Sequence, residues 1–252
     1  MKISILIPVR NEGVNIKVLL KILNATIDGQ QEILVIYDSL SDDTIPVVKS
    51  LEKTFSNVKL IHNELGQGVI NAVRVGVDSS IGKYILVFAA DEIGPVLAID
   101  DMAELLDGGC DLVSCTRYAY GGRRLGGSLI GGILSRLANK LMCFLSGSVL
   151  TDATTGIKMF KREVFKKIHL ESRPIGWAFI FEFALKAQYQ GLRLGEVPII
   201  SIDRLYGGKS TFQLGPWVKE YMRWFIWGIK HLPFFRKGNQ PDLRIPRSVS
   251  YL

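Results

Sequence analysis

The stretch that most constrains this chain is Lys83–Pro95, KYILVFAADEIGP. An apolar, β-prone run from Tyr84 to Phe88 stops at two alanines and is followed by Asp91 and Glu92, and Gly94 and Pro95 prevent the pattern from continuing. A buried strand that delivers a carboxylate at its C-terminal end is how open α/β sheets present a ligand site. A short acidic segment there can hold a divalent metal, and the metal a nucleotide diphosphate. A strand ending in a solvated acidic turn is the plainer alternative.

The flanking sequence repeats the pattern. Lys2–Pro8, Glu32–Tyr37, Asn57–His62, Tyr84–Phe88 and Asp111–Cys115 read as strands. Between them lie helical patterns through Val14–Leu23, after Thr44 (a candidate cap, with Pro46 in the first turn), from Gly66-Gln67-Gly68 to about Asp78, and over Asp100–Leu106. This alternation predicts a parallel sheet with helices on both faces. Asp38, the Ser41–Thr44 turn and Asp91 fall at the C-terminal ends of those strands, where such sheets bind ligands. No G-x-G-x-x-G follows the first strand, which argues against a dehydrogenase, and no G-x-x-x-x-G-K-[ST] is present.

The second half changes character. Ser128–Leu145 puts Ile130, Ile133, Leu134, Leu137, Leu141 and Phe144 on one stripe, opposite Ser135, Arg136, Asn139 and Lys140. Lys161–Lys167 and Ala178–Gln190 read as helices and Arg193–Ile202 as a strand. In Pro216–Leu232, Val218, Met222, Phe225, Ile229 and Leu232 share a side, Lys219, Arg223 and Lys230 another, and Trp217, Tyr221, Trp224 and Trp227 enrich it in interfacial side chains. The uncharged runs are too short to span a bilayer, so the expectation is a helix in the membrane plane, with ordinary packing as the alternative.

The net charge of +7 is uneven: no Asp or Glu lies between Asp111 and Asp152, whereas from Arg204 onward nine Lys/Arg stand against two acids. That asymmetry favours an anionic partner, either phosphate or a membrane surface. The basic residues accompany apolar stripes rather than exposed stacking aromatics, so no nucleic-acid partner is expected. The three cysteines lack metal-ligand spacing and the three histidines are far apart. Reduced thiols and a first strand beginning at the N-terminus suggest a cytoplasmic setting without a signal peptide.

A series of short motifs in order then resembles family 2 glycosyltransferases. Ile5–Glu12 (ILIPVRNE) resembles their IPxxNE, Tyr37–Thr44 (YDSLSDDT) their DDxSxDGT, Leu65–Ala72 their GxGxA, and Ala89-Ala90-Asp91 stands at their D-x-D. Thr116-Arg117-Tyr118 with Gly121-Gly122, Asp152–Phe160 (DATTGIKMF) and Asp203–Ser210 (DRLYGGKS) resemble segments of the dolichyl-phosphate mannose synthase branch. Tyr37 and Ala89 replace an Asp of each acidic pair, and Asp43 stands where glycine is usual.

The resemblance implies a Rossmann-like, glycosyltransferase A-type α/β fold with a mostly parallel sheet and added amphipathic helices. The expected organisation is a nucleotide-sugar half over 1–118, an acceptor half over 119–215, and a membrane-associating helix and basic tail over 216–252. It implies inverting transfer from a nucleotide sugar, GDP-mannose or UDP-hexose, to a polyprenyl phosphate. Pro8, Arg10, Glu12, Asp38, Gly66, Gly68 and Asp91 would bind the nucleotide sugar. Asp91 would hold Mg2+ or Mn2+, which needs only one or two carboxylates beside substrate phosphates; Glu92 is a further possible ligand. Arg117, Arg123, Arg124, Arg136, Arg204 and Lys209 are candidates for the acceptor phosphate, with Asp91, Arg117 and Arg204 as the catalytic set. Asp152 and Glu182 are further candidates, and either would have to act as base if the acceptor were a hydroxyl. Trp177 could line a sugar pocket or belong to the core. A non-catalytic membrane-associated relative is a third reading. The expected location is the inner face of a membrane, with a membrane protein as a possible partner.

Overall fold

The structure, a computed structural model, describes residues 2–27, 31–126, 129–202, 214–232 and 241–244, apart from the side chains of Ile130 and Leu214. The first half alternates as expected: β1 (Ile3–Val9), α1 (Gly13–Thr26), β2 (Gln31–Tyr37), α2 (Thr44–Glu52), β3 (Val58–His62), α3 (Val69–Ser79), β4 (Tyr84–Val87), a 3-10 turn (Gly94–Ala98), α4 (Ile99–Asp107) and β5 (Leu112–Thr116). The second half adds β6 (Arg123–Leu125), α5 (Leu129–Ser146), β7 (Lys158–Lys161), α6 (Arg162–Lys167), α7 (Ala178–Tyr189), β8 (Leu194–Pro198), β9 (Ile200–Ile202), α8 (Leu214–His231) and β10 (Asp242–Leu243).

One eight-stranded sheet runs in the order β10–β8–β5–β7–β4–β1–β2–β3. All its pairings are parallel except those of β7, which lies antiparallel between β4 and β5. Strands from both halves therefore share one sheet. Alternate side chains feed two cores, as a sheet covered on both faces requires. Ile5, Ile7, Ile33, Val35 and Leu86 pack with Leu19, Leu20 and Leu23 of α1 and Met102 of α4. Leu6, Leu34, Ile36, Ile85 and Val87 pack with Val73 and Val77 of α3 and Ile180, Phe183 and Ala184 of α7. Cys110, Cys115 and Cys143 are free thiols.

Three details depart from expectation. Strand β7 was not expected; its four residues, Lys-Met-Phe-Lys, are too short to show a period. The single strand expected over Arg193–Ile202 is two strands, because at Ile199 the chain leaves the large sheet and β9 pairs β6 in a separate two-stranded sheet. Thr44 is the first residue of α2 rather than its cap, and its hydroxyl accepts the Glu12 N–H at 2.9 Å.

Helix α5 faces the other way from a packing helix. Its polar residues Ser135 and Asn139 turn inward, and Ile133, Leu134, Leu137, Leu141 and Phe144 stand exposed. Helix α8 packs against α5 and α7 through Trp224 and Gly228, leaving Val218, Met222, Ile226 and Ile229 exposed. Among the described residues no helix is long and apolar enough to cross a membrane.

Candidate active site

The topology brings the motifs to one edge of the sheet. The parallel strands β1, β2, β4, β5 and β8 all end there, and the antiparallel β7 begins there, with Lys158 opposite both Val87 and Ser114. Pro8–Glu12, Asp38, Ala89–Glu92, Arg117 and the 151–155 loop therefore lie along a single edge.

On the β1–β2 side the turns are pinned by carboxylates. Asn11 adopts a positive φ of 56°, and its N–H donates to Asp42 Oδ1 at 3.1 Å. The same oxygen accepts the Thr44 N–H at 2.8 Å, and Asp43, in the position where the family carries glycine, accepts the Gly13 N–H at 3.0 Å. Tyr37, which replaces an Asp, stacks on His62 with ring centroids 5.0 Å apart. Asp38 Oδ2 accepts the Gly68 N–H at 3.3 Å, while its buried Oδ1 has no hydrogen-bond partner among the described residues. A buried acceptor left open in this way suits a ligand donor such as a base or ribose group.

Gly68 has a φ of 122°, and a Cβ there would lie 2.5 Å from Pro174. The Gly66–Gly68 loop is thus pressed against the 170–176 segment. That segment is held by Arg74 Nη2, which donates to the Leu170 carbonyl at 3.1 Å, and by two buried carboxylates. Glu182 of α7 accepts the N–H groups of Glu171 at 2.7 Å and Ser172 at 2.8 Å. Glu220 of α8 accepts the Arg173 N–H at 3.1 Å.

Asp91 and Glu92 are half-buried in the turn after β4. Its far end passes so close to β9 that a Cβ on Gly94 would sit 1.7 Å from the Ile200 carbonyl oxygen. Pro8 and Glu12 are half-buried, and Arg10 is exposed.

The β5–β7 side centres on a buried ion pair. Arg117 meets Asp152 in a two-point fork, Nε to Oδ2 at 2.7 Å and Nη2 to Oδ1 at 3.0 Å, and the Arg117 N–H also reaches Oδ2 at 3.2 Å. Asn139 Nδ2 and the Thr154 hydroxyl donate to Oδ1 at 3.3 and 3.0 Å. Burial pushes the Asp152 carboxyl upward, but the charge and hydrogen bonds of Arg117, then Lys158 and the Thr154 hydroxyl, outweigh it and hold the group below the usual carboxylate range. Burial likewise works against the Arg117 charge, and Asp152 overcomes it. Asp152 is therefore a saturated anion, poorly suited to accept a proton.

Tyr118 lies between Arg117 and Arg136, whose guanidinium carbons are 5.1 and 5.8 Å from its ring centre. A groove of about 480 Å³, lined by Tyr118, Arg136, Lys140, Phe144 and Thr151, opens beside it. Of the expected acceptor-phosphate set, Arg117 and Arg136 thus come together. Arg123 and Arg124 sit on the β6–β9 sheet, with Arg124 reaching toward Gly132 of α5. Arg204 and Lys209 lie outside the described residues.

Glu182 lies away from this pair. It is fully buried, and its partners are the two amide groups and Lys186 at 2.7 Å. Trp177 packs over Gly156, where a Cβ would touch its ring at 2.8 Å, and stacks near Phe179. Sequence reasoning missed Asn139 and Thr154 as supports of Asp152, and Ser114, Lys158 and Glu196 beneath the 151–155 loop. The available signal was the presence of Lys158 and Glu196 inside otherwise apolar strand segments.

The model of the family described as glycosyl transferase family 2 matches residues 4–169. The chain belongs to that family. A dolichol-phosphate mannosyltransferase from Pyrococcus furiosus is 26% identical over 232 residues, covering 89% of this chain and 64% of that protein. A polyprenol monophosphomannose synthase from Mycolicibacterium smegmatis is 28% identical over 215 residues, covering 81% and 78%. The chain thus spans about two thirds of the length of the Pyrococcus relative.

Among solved structures, glucosyl-3-phosphoglycerate synthase from Mycobacterium tuberculosis with Mn2+, UDP and glucosyl-3-phosphoglycerate superposes with a TM-score of 0.70 at 18% identity, covering 91% of this chain and 80% of that one. The same enzyme with Mg2+ and UDP gives 0.70 at 17%, covering 91% and 79%. These likenesses establish the Rossmann-like A-type fold, and the family the chain belongs to is one of glycosyl transferases. Among the described residues no group of three His, Cys, Asp or Glu comes together to hold a metal.

Replacing Asp152 by Asn leaves a buried guanidinium without its counter-charge. Thermal and denaturant unfolding should show a loss of about 3–5 kcal/mol, and the double variant Asp152→Asn with Arg117→Met should recover part of it. A loss below about 1 kcal/mol would show that the pair is not structurally required.

Proposed function

We propose that this glycosyltransferase moves a sugar, with inversion, from GDP-mannose or a UDP-hexose to a polyprenyl phosphate. The observation that carries the reading is the Arg117–Asp152 fork at the same sheet edge as Asp38 and Asp91. It fixes the Arg117 guanidinium beside the donor edge, and Arg136 lies next to it against the Tyr118 ring. The names of the Pyrococcus and Mycolicibacterium relatives support a polyprenyl phosphate acceptor, and the UDP complexes of the structural neighbours support a nucleotide-sugar donor.

Asp38 and the Gly66–Gly68 loop would receive the nucleoside. Asp91 would hold Mg2+ or Mn2+ together with diphosphate oxygens; one half-buried carboxylate suits a hard cation that keeps substrate and water ligands. When bound, the metal neutralises the diphosphate leaving group. Arg117 and Arg136, with Arg204 and Lys209, would gather the acceptor phosphate, Arg136 and Arg204 through forked contacts and Arg117, whose fork holds Asp152, as a neighbouring donor.

A phosphate monoester with its second pKa near 6 is mostly a dianion at pH 7 and brings its own nucleophilic oxygen. The site then needs no general base. That matches Asp152 and Glu182, whose oxygens are already taken by donors. A hydroxyl acceptor would need one of them free.

The exposed apolar stripes of α5 and α8 support a peripheral position on the inner face of a membrane, where the lipid acceptor resides. Exposed arginines and lysines beside the stripes would add attraction to anionic lipid.

The acceptor is tested by comparing transfer from GDP-mannose and from UDP-glucose to farnesyl phosphate and to farnesol. The phosphate should be the substrate used, and equal or better use of the alcohol contradicts the reading. For the membrane contact, Ile133→Asp with Ile226→Asp should abolish sedimentation with anionic vesicles without lowering the melting temperature. Unchanged sedimentation, or none by the wild type at low salt, refutes it.

A further inference from the structure

Strands β8, β5 and β7 lie side by side, and their registers place Glu196, Ser114 and Lys158 in one row across the sheet. All three are fully buried. A carboxylate and an ammonium in the interior of a sheet are costly unless each is paired or hydrogen-bonded. What faces the row is the loop that carries Asp152.

Glu196 accepts the Thr151 N–H at 2.7 Å, the Asp152 N–H at 3.2 Å and, through Oε2, the Thr151 hydroxyl at 3.0 Å. Ser114 Oγ lies 3.2 Å from the Asp152 carbonyl oxygen and 2.8 Å from Lys158 Nζ. Lys158 donates to the Thr155 carbonyl at 3.1 Å. The row thus takes backbone groups at both ends of the loop and leaves the Asp152 side chain to Arg117. Burial raises the Glu196 carboxyl to about 7, against the pull of the Asp152 and Thr151 donors. Burial also lowers the Lys158 ammonium to about 8, partly offset by Asp152. Neither group serves the core as an apolar side chain would, and the Asp152–Arg117 fork reaches the site edge only with the loop in this shape.

We infer that Glu196, Ser114 and Lys158 are positioning residues that set the acceptor site by holding the 151–155 loop from below. This rests on the acceptor reading given above. Glu196→Leu keeps nearly the same size but removes both acceptor oxygens from the Thr151 and Asp152 N–H groups, so the loop must shift and carry Arg117 with it.

The test is steady-state transfer to farnesyl phosphate from whichever of GDP-mannose and UDP-glucose the wild type uses. In Glu196→Leu the KM for farnesyl phosphate should rise about tenfold or more, while the KM for the nucleotide sugar stays within about twofold. Ser114→Ala should shift the same parameter in the same direction and serves if the Leu variant does not fold. A purely structural role would lower kcat through lost active protein and leave both KM values unchanged; that result, or a wild-type KM for farnesyl phosphate in either folded variant, overturns the inference.

If the wild type uses no polyprenyl phosphate, the acceptor reading fails separately. Amide exchange of residues 151–155 then reads the row directly. It should be about tenfold faster in the variants, with α1 and α3 unchanged, and wild-type exchange overturns the inference.

Discussion

The arrangement of the β5–β7 side follows from one physical demand: a guanidinium and a carboxylate, Arg117 and Asp152, are paired with the carboxylate fully buried and the guanidinium largely so. Two charges removed from solvent are tolerated only when geometry is good and the remaining lone pairs are filled. The surrounding fold fills them. Asn139 reaches in from α5, Thr154 folds back from the loop, and the backbone of Arg117 itself donates. This explains the orientation of α5, whose inward side must be polar at Ser135 and Asn139 and whose apolar side is left outside. An exposed lipid-philic stripe and a buried polar network are two faces of the same helix.

Strand direction decides that this pair lies at the same sheet edge as Asp38 and Asp91. Had β7 run parallel to its neighbours, the 151–155 loop would have fallen at the opposite edge, remote from Asp38 and Asp91. Antiparallel insertion between β4 and β5 places it beside the turn that carries Asp91. The side that carries Asp38 is tied in from another direction. Glu182 and Glu220 grip the 170–176 segment, Pro174 abuts Gly68, and Gly68 donates to Asp38. Trp217 of α8 lies against Gly176 in the same segment. The helix with an exposed outer stripe therefore touches, through its inner face, the segment that backs the Gly66–Gly68 loop.

The legible parts of this molecule were those in which a local pattern and its consequence coincide. β1, β2, β4 and β5 were readable because an apolar run ended at a polar residue at the sheet edge. Hydrophobic periodicity also found α5 and α8, but not the side each would bury, because that depends on the polar loop against α5, which is distant in sequence. β7 was hidden by its length, and the break at Ile199 by an apolar run that continues through it. The anomalous burial of Glu182 was readable from its apolar neighbours, but its partner was not, since Lys186 and the 171–172 amides meet it only in the folded chain. Lys158 and Glu196 showed the same kind of anomaly, and only strand register revealed that they flank Ser114 in one row.

The central claim is that a nucleotide sugar occupies the edge between Asp38 and Asp91, facing the Arg117–Asp152 pair. The most direct measurement is a crystal structure with UDP or GDP and Mn2+, with the metal located by anomalous scattering. The account predicts a manganese peak bonded to the Asp91 carboxylate and diphosphate oxygens, with the nucleoside donating to Asp38 Oδ1. A nucleotide bound elsewhere, or a manganese ion with no bond to Asp91, would contradict it.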